Sequence, residues 1–293
     1  MKKYIYSIVF MLLTALTSAQ QATVQQVTKT INKTFEVDAK NSLNVVGERA
    51  EIFIDVHAKN EIEVSLAIVA KHPDRSTAER ELKAMIFKSE AIGKQIYLRN
   101  YIETEAGQKP KASLKAVYSI KLPTNCPITV SNYFGEVVIS GLSASLNLTS
   151  DFSRVSISNY KGKAVLQTKY GSIKLTDISG DFKLSSNRTN MELKNISGNY
   201  TIDAAVAKIS VNQMEEINEF NLSAKKCQVD LKQLDTEKLQ LDFELEKVNL
   251  QKASTMELDF IKGENGKSII KHNKTSKLPV VKIQLQTGSL SIN

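Results

Sequence analysis

The chain has 293 residues, with 39 Lys and Arg against 31 Asp and Glu and a formal net charge of +8. It lacks Trp and carries 2 Cys and 3 His. This composition excludes a disulfide-dense scaffold, leaves a zinc or Ser-His-Asp centre short of ligands, and disfavours a sugar cleft built on broad aromatic platforms.

The chain opens MKKYIYSIVFMLLTALTSA. Lys2 and Lys3 form a positive n-region, Tyr4–Leu16 is an almost uncharged apolar run, and Thr17 and Ala19 are small. The pattern predicts a secretory signal peptide over 1–19, cut after Ala19. The alternative, a membrane anchor, needs about 20 apolar residues, more than this run supplies. No Cys follows the cleavage site to take a lipid. The remainder stays basic without Lys2 and Lys3. It has no run of five like charges, so its Lys excess reads as a solvated face, with no patch for nucleic acid.

Residues 20–125 are predicted as irregular β coils. The pairs Phe35/Val37, Leu43/Val45, Ile52/Ile54 and Ile62/Val64 alternate as strands do. A helix is predicted over 76–88, from the capping box Ser76-x-x-Glu79 and the stripe Ala78, Leu82, Met85 and Ile86. It should lie against the sheet or cap an open end. Glu103–Ala112 reads as an exposed loop, and strands resume at Tyr118, Ile120 and Leu122.

Residues 126–293 are predicted as regular coils. Val130, Leu148, Leu166, Leu184 and Ile202 recur every 18 residues, and Leu222 and Leu241 follow after 20 and 19. Seven positions after these anchors stand Val137, Val155, Ile173, Met191, Ile209, Val229 and Val248. Nine after stand Ile139, Ile157, Leu175, Leu193, Val211, Leu231 and Leu250. Each apolar-x-apolar triplet points two side chains to one face. One coil alone cannot bury that face, whereas stacked coils can. The expected fold is therefore all-β, a single-stranded β-solenoid of roughly 18-residue coils, its hand unread. Small residues five after the anchors (Gly135, Ser153, Gly171) mark one corner, and Gly162, Gly180 and Gly198 mark another. Phe134, Phe152 and Tyr170 share a column and predict an aromatic stack. Gly263–Lys277 reads as a polar insertion, after which Val281/Ile283 and Leu290/Ile292 complete a last coil.

Chemistry is sparse. His57, His72 and His272 show no metal-ligand spacing, and His72 precedes Pro73-Asp74, where Asp74 suits a helix cap. Asp151, Asp177, Asp181 and Asp203 are acids of the type used by polysaccharide-cleaving solenoids. They fall at different offsets, so no converging pair can be placed. Asp177 has no column. Asn147, Asn187, Asn195, Asn199 and Asn221 head Asn-x-Ser/Thr triplets, read as solvent-facing composition. Cys126 and Cys227 sit five coils apart, about 24 Å at 4.8 Å per coil, too far for a disulfide, and are predicted to be free thiols. No catalytic, metal or cofactor residue is assigned, and no cofactor is expected.

The signal peptide, Phe35-Glu-Val37, Gly135-Glu-Val-Val-Ile139, Gly171-Ser-Ile-Lys-Leu175 and Ile178-Ser-Gly180 together resemble the bacterial putative-adhesin family of exported β-solenoid domains, abundant in Bacteroidetes. The resemblance covers most of residues 30–293. It implies a single-stranded solenoid with an envelope or surface role, and it supplies no catalytic residue. The expected function is a non-enzymatic envelope scaffold presenting a repetitive polar β surface to envelope or host polysaccharide or to another envelope protein. The alternatives are a polysaccharide-active solenoid enzyme and a periplasmic protein-binding module.

Overall fold

A computed structural model of the chain describes residues 24–105, 108–253, 256, 258–262, 267–272 and 277–293. The signal-peptide reading of 1–19 falls outside them. Among the described residues, thirteen strands form one open, mixed sheet. In chain order they are β1 (Gln25–Glu36), β2 (Ser42–His57), β3 (Glu61–His72), β4 (Met85–Ile92), β5 (Gln95–Ile102), β6 (Ser113–Pro123), β7 (Ile128–Ser140), β8 (Leu146–Ala205), β9 (Lys208–Lys232), β10 (Gln240–Lys252), β11 (Asp259–Lys262), β12 (Lys267–His272) and β13 (Val280–Ile292).

The all-β expectation holds, and so does the 18-residue step. β7 and β8 pair in parallel with Val130 beside Leu148 and Val137 beside Val155. β8 and β9 pair with Met191 beside Ile209 and Ile202 beside Leu222. A straight 60-residue strand would run about 200 Å. β8 instead turns at residues with positive φ: Phe152, Asn159, Tyr170, Asp177, Arg188 and Asn195, and at the expected glycine column Gly162, Gly180 and Gly198. Side chains 18 apart within it meet, as Phe152 and Tyr170 do. Each rung thus has a first segment, a corner, a second segment and another corner. The two extra residues between Ile202 and Leu222 are absorbed where the register shifts around Gly198 and Ile217.

The apolar columns face inward as the period requires. Val130, Leu148, Leu166, Leu184, Ile202 and Leu222 are all buried, as are Val137, Val155, Ile173, Met191, Ile209 and Val229. Fully burying each such side chain is worth about 1.5–3 kcal/mol. Tyr160, Phe182, Tyr200 and Phe220 form an internal ring ladder. The Tyr160 hydroxyl donates to the Ala144 carbonyl at 2.6 Å, and Tyr200 bonds the Ile178 carbonyl at 3.2 Å. Burial holds both phenols above their usual range.

Four features depart from the expectation. The first is at the N-terminal end, where stacking changes sense. Leu43/Val45 and Ile52/Ile54 form one rung, parallel to β7, but β1 runs antiparallel to β3, β3 to β6, and β4 to β5. Alternation looks the same in parallel and antiparallel strands, so the sequence pattern did not separate them. The second is the helix. α1 covers Arg75–Leu82 and not 76–88, and Met85 and Ile86 begin β4. Its cap is Asp74, whose carboxylate accepts from Thr77 N at 2.8 Å and from Ser76 Oγ at 2.7 Å. Those bonds hold the carboxyl well below its usual range. α1 packs on β1 and β3 through Ala78.

The third departure is in the insertion. Of its described residues, Lys267–His272 form β12, antiparallel to β10 with Ile270 buried. Residues 263–266 and 273–276 lie outside the description. The fourth is the order of the last rungs. β13 pairs in parallel with β9 on one side and β10 on the other, so the C-terminal strand sits between two earlier ones. Within that block Leu222 lies beside Ile283 and Ile283 beside Phe243, so Phe243, not Leu241, occupies the anchor column. Leu250, not Val248, likewise follows Leu290 and Val229. A slip of two leaves every side chain on the same face, which is why the pattern concealed it.

Candidate functional site

Two outward surfaces arise from this stacking. The first is an open groove of about 550 Å³ whose lining includes Ser185, Asp203, Ser223, Gln284 and Glu244. A second depression of about 280 Å³ continues it, sharing Asp203, Ser223, Glu244 and Gln284. The register explains the line-up. Asp203 lies beside Ser223, Ser223 beside Gln284, and Gln284 beside Glu244. Ser185 is 18 residues before Asp203, one rung below. Each residue follows an inward-facing anchor and so points out. The result is a column of five hydrogen-bonding side chains repeating at about 4.8 Å. Lys225, Lys267 and Lys282 flank it against Glu246 and Asp242, so the groove is polar and mixed in charge. Gln286 donates to Glu246 at 3.2 Å, and Lys282 pairs with Glu219 at 3.6 Å.

The two acids of the column do not converge. Asp203 and Glu244 are three rungs apart, about 14 Å. A retaining glycosidase needs its carboxyl groups at about 5–5.5 Å and an inverting one at about 6.5–9.5 Å. The other acids singled out from the sequence stand elsewhere. Asp151 is beside Tyr133. Asp177 accepts from Asn195 Nδ2 at 2.6 Å and Asp181 from Asn199 Nδ2 at 2.7 Å, each across one rung. The histidines are likewise dispersed: His57 bonds the Glu61 carbonyl, His72 Nδ1 accepts from Asp74 N, and His272 lies on β12. Among the described residues no three His, Cys, Asp or Glu gather closely enough to hold a metal ion. Cys126 and Cys227 are free and buried; burial pushes the Cys126 thiol up to about 11 and raises that of Cys227.

The second surface is the corner after the first segment. Phe134, Phe152 and Tyr170 stack with centroids 4.8 Å apart at each step and interplanar angles of 18° and 2°. Tyr133 packs edge-on against Phe134 and Phe152. The Arg188 guanidinium lies 5.4 Å from the Tyr170 ring centre and donates to its hydroxyl at 3.0 Å. At the other end the register sets Arg49 beside Phe134. Tyr133, Phe134, Phe152 and Tyr170 are each 41–47% exposed, although all four are aromatic. The predicted stack is therefore present. Its flanking arginines and outward edge carry little sequence signal: Arg188 falls 18 residues after Tyr170 but is not aromatic, and Arg49 reaches Phe134 only through the β2–β7 pairing, 85 residues away.

The other corner settles the position of Asp177. Gly141, Asn159, Asp177, Asn195 and Gln213 occupy one column, all with positive φ. Asp and Asn tolerate this left-handed backbone better than other side chains. Asp177 therefore has a column after all, a structural one. The signal was the run Gly, Asn, Asp, Asn at 18-residue spacing.

No protein-family model and no curated protein matches the chain. Among solved structures, the chain is similar to a "putative adhesin" from Bacteroides fragilis at 14% identity, covering 90% of this chain and 97% of that one, with a TM-score of 0.47. It is also similar to a "putative lipid binding protein" from Parabacteroides distasonis (9%, 90% and 97%, TM-score 0.38). A "putative cell adhesion protein" from Clostridium sporogenes matches at 14%, over 91% and 99%, with a TM-score of 0.28. Likenesses at this level assign the chain neither a family nor a function.

Proposed function

We propose that this chain is a non-enzymatic, exported binding scaffold of the cell envelope that holds an extended polar polymer along its groove. In this reading 1–19 is a signal peptide, 20–125 and 126–293 form one continuous body, and the parallel rungs wind as a β-solenoid. The observation that carries the reading is the five-rung column Ser185, Asp203, Ser223, Gln284 and Glu244. Hydrogen-bonding groups repeating along a line suit a ligand whose own polar groups repeat, and each rung adds a weak contact to the next. A polysaccharide is the ligand class that fits.

Affinity electrophoresis of the chain in gels containing neutral and acidic polysaccharides tests this. At least one polymer should retard the protein, and Asp203→Ala with Glu244→Ala should weaken that retardation. Equal mobility in every gel would overturn the polymer-binding reading. Labelling of intact cells then places the scaffold: a protein reached only after the outer envelope is opened faces the periplasm.

The sheet end favours a second reading, a protein-docking module. β11 is a four-residue edge strand carrying Phe260 (55% exposed) and Ile261 (43% exposed). Edges of this kind invite pairing with another chain.

A further inference from the structure

Beneath the aromatic corner the inward side chains change character. The position two after the anchor carries Asn132, Ser150, Thr168 and Ser186 on four successive rungs, at 4%, 1%, 5% and 7% exposure. Asn132 Oδ1, Ser150 Oγ, Thr168 Oγ1 and Ser186 Oγ find no hydrogen-bond partner among the described residues. The Asn132 amide is half satisfied: Nδ2 donates to the Ala50 carbonyl at 3.0 Å and to Ser153 Oγ at 3.3 Å. A buried polar oxygen without a partner is costly, and one in each of four consecutive rungs is not a local accident. The column has definite ends. Below Asn132 lies Gly47, where a Cβ would come within 2.7 Å of Asn132 Oδ1. Above Ser186 the position becomes Ala204, then Ala224.

We infer that this corner holds a file of internal waters, one between each successive pair of the Ser150, Thr168 and Ser186 hydroxyls, two in all. Rungs repeat at about 4.8 Å. Two O–H···O bonds of about 2.8 Å meeting at about 110–120° span about 4.6–4.8 Å. A single water therefore bridges each gap without moving the backbone, and gives every hydroxyl of the column at least one partner. The corner column beside it is small at three of these rungs, Gly135, Ser153 and Gly171. Internal waters characteristically occupy such polar sites with two to four partners. The file lies just inside the αL residues Phe152, Tyr170 and Arg188.

Oxygen-17 magnetic relaxation dispersion, which counts long-lived waters, tests the inference on the full chain. Thr168→Val removes the hydroxyl shared by two bridges, so the dispersion amplitude should fall by about two waters. The control Thr149→Val alters an exposed neighbour and should leave the amplitude unchanged. An unaltered amplitude in a Thr168→Val protein with native circular dichroism overturns the file. If that variant fails to fold, Ser186→Ala at the end of the column replaces it, with an expected loss of about one water; no loss there is equally fatal.

Discussion

The two corners of each rung make the same backbone move with opposite chemistry. The corner of Gly141, Asn159, Asp177, Asn195 and Gln213 uses mainly residues that enter the left-handed region at low cost. The corner of Arg49, Phe134, Phe152, Tyr170, Arg188 and Val206 holds the same φ, 50° to 60°, with bulky side chains and even a β-branched one. Left-handed backbone costs a non-glycine residue about 1–2 kcal/mol. The first corner meets that cost residue by residue. At the second, the stack shares it: each ring lies on the ring below and the last is covered by Arg188. Strain held in place by neighbours on an exposed edge is where a surface role is most economically sought.

Six substitutions at five positions test that contrast, from the largest expected effect to the smallest. Gly171→Ala places a Cβ 2.0 Å from the Ser153 carbonyl oxygen, a backbone atom that cannot step aside. It should cost about 3 kcal/mol or more in urea unfolding, whereas Asn159→Gly at the amide corner should change stability by no more than about 0.5 kcal/mol. Phe152→Ala removes the middle ring and should cost about 1–3 kcal/mol through two lost stacks. Phe152→Gly loses the same stacks but relaxes the backbone, and should come out about 0.5–1 kcal/mol more stable than the Ala variant. If the Gly protein is the less stable of the two, the corner is not strained. Arg188→Ala uncovers the Tyr170 ring and should cost about 0.5–1 kcal/mol. Asp177→Asn keeps an αL-tolerant amide and should stay within about 0.5 kcal/mol of the parent; a large loss would mean that Asp177 does more than turn the chain.

The rungs were legible because inward apolar residues must recur at the rung length, and Val130, Leu148 and Leu166 do so with little competition. The amide corner was legible in principle from its Gly, Asn and Asp, yet it was overlooked because the count followed apolar residues. The strain at the aromatic corner was not legible, since nothing in Phe, Tyr, Arg or Val announces positive φ. The groove column was also hidden. Gln284 joins Asp203 and Ser223 only through a pairing that reaches from residue 223 to residue 284, and such distance leaves no periodic trace. The end of α1 was misjudged because Met85 and Ile86 satisfy a helical stripe and a strand equally well.

The place of β13 has a consequence for synthesis. Strands that pair in the order they are made can close onto the body as the chain emerges. Here β10 is made before β13 yet sits beyond it, so the flank of β9 stays open until β13 itself has been made. The apolar residues of β10, Phe243 and Leu245 among them, wait without their parallel neighbour for that interval. A chain lacking Val280–Ile292 loses β13 itself and also the partner that joins β10 to the sheet, so this small deletion should unseat a much larger piece of the molecule.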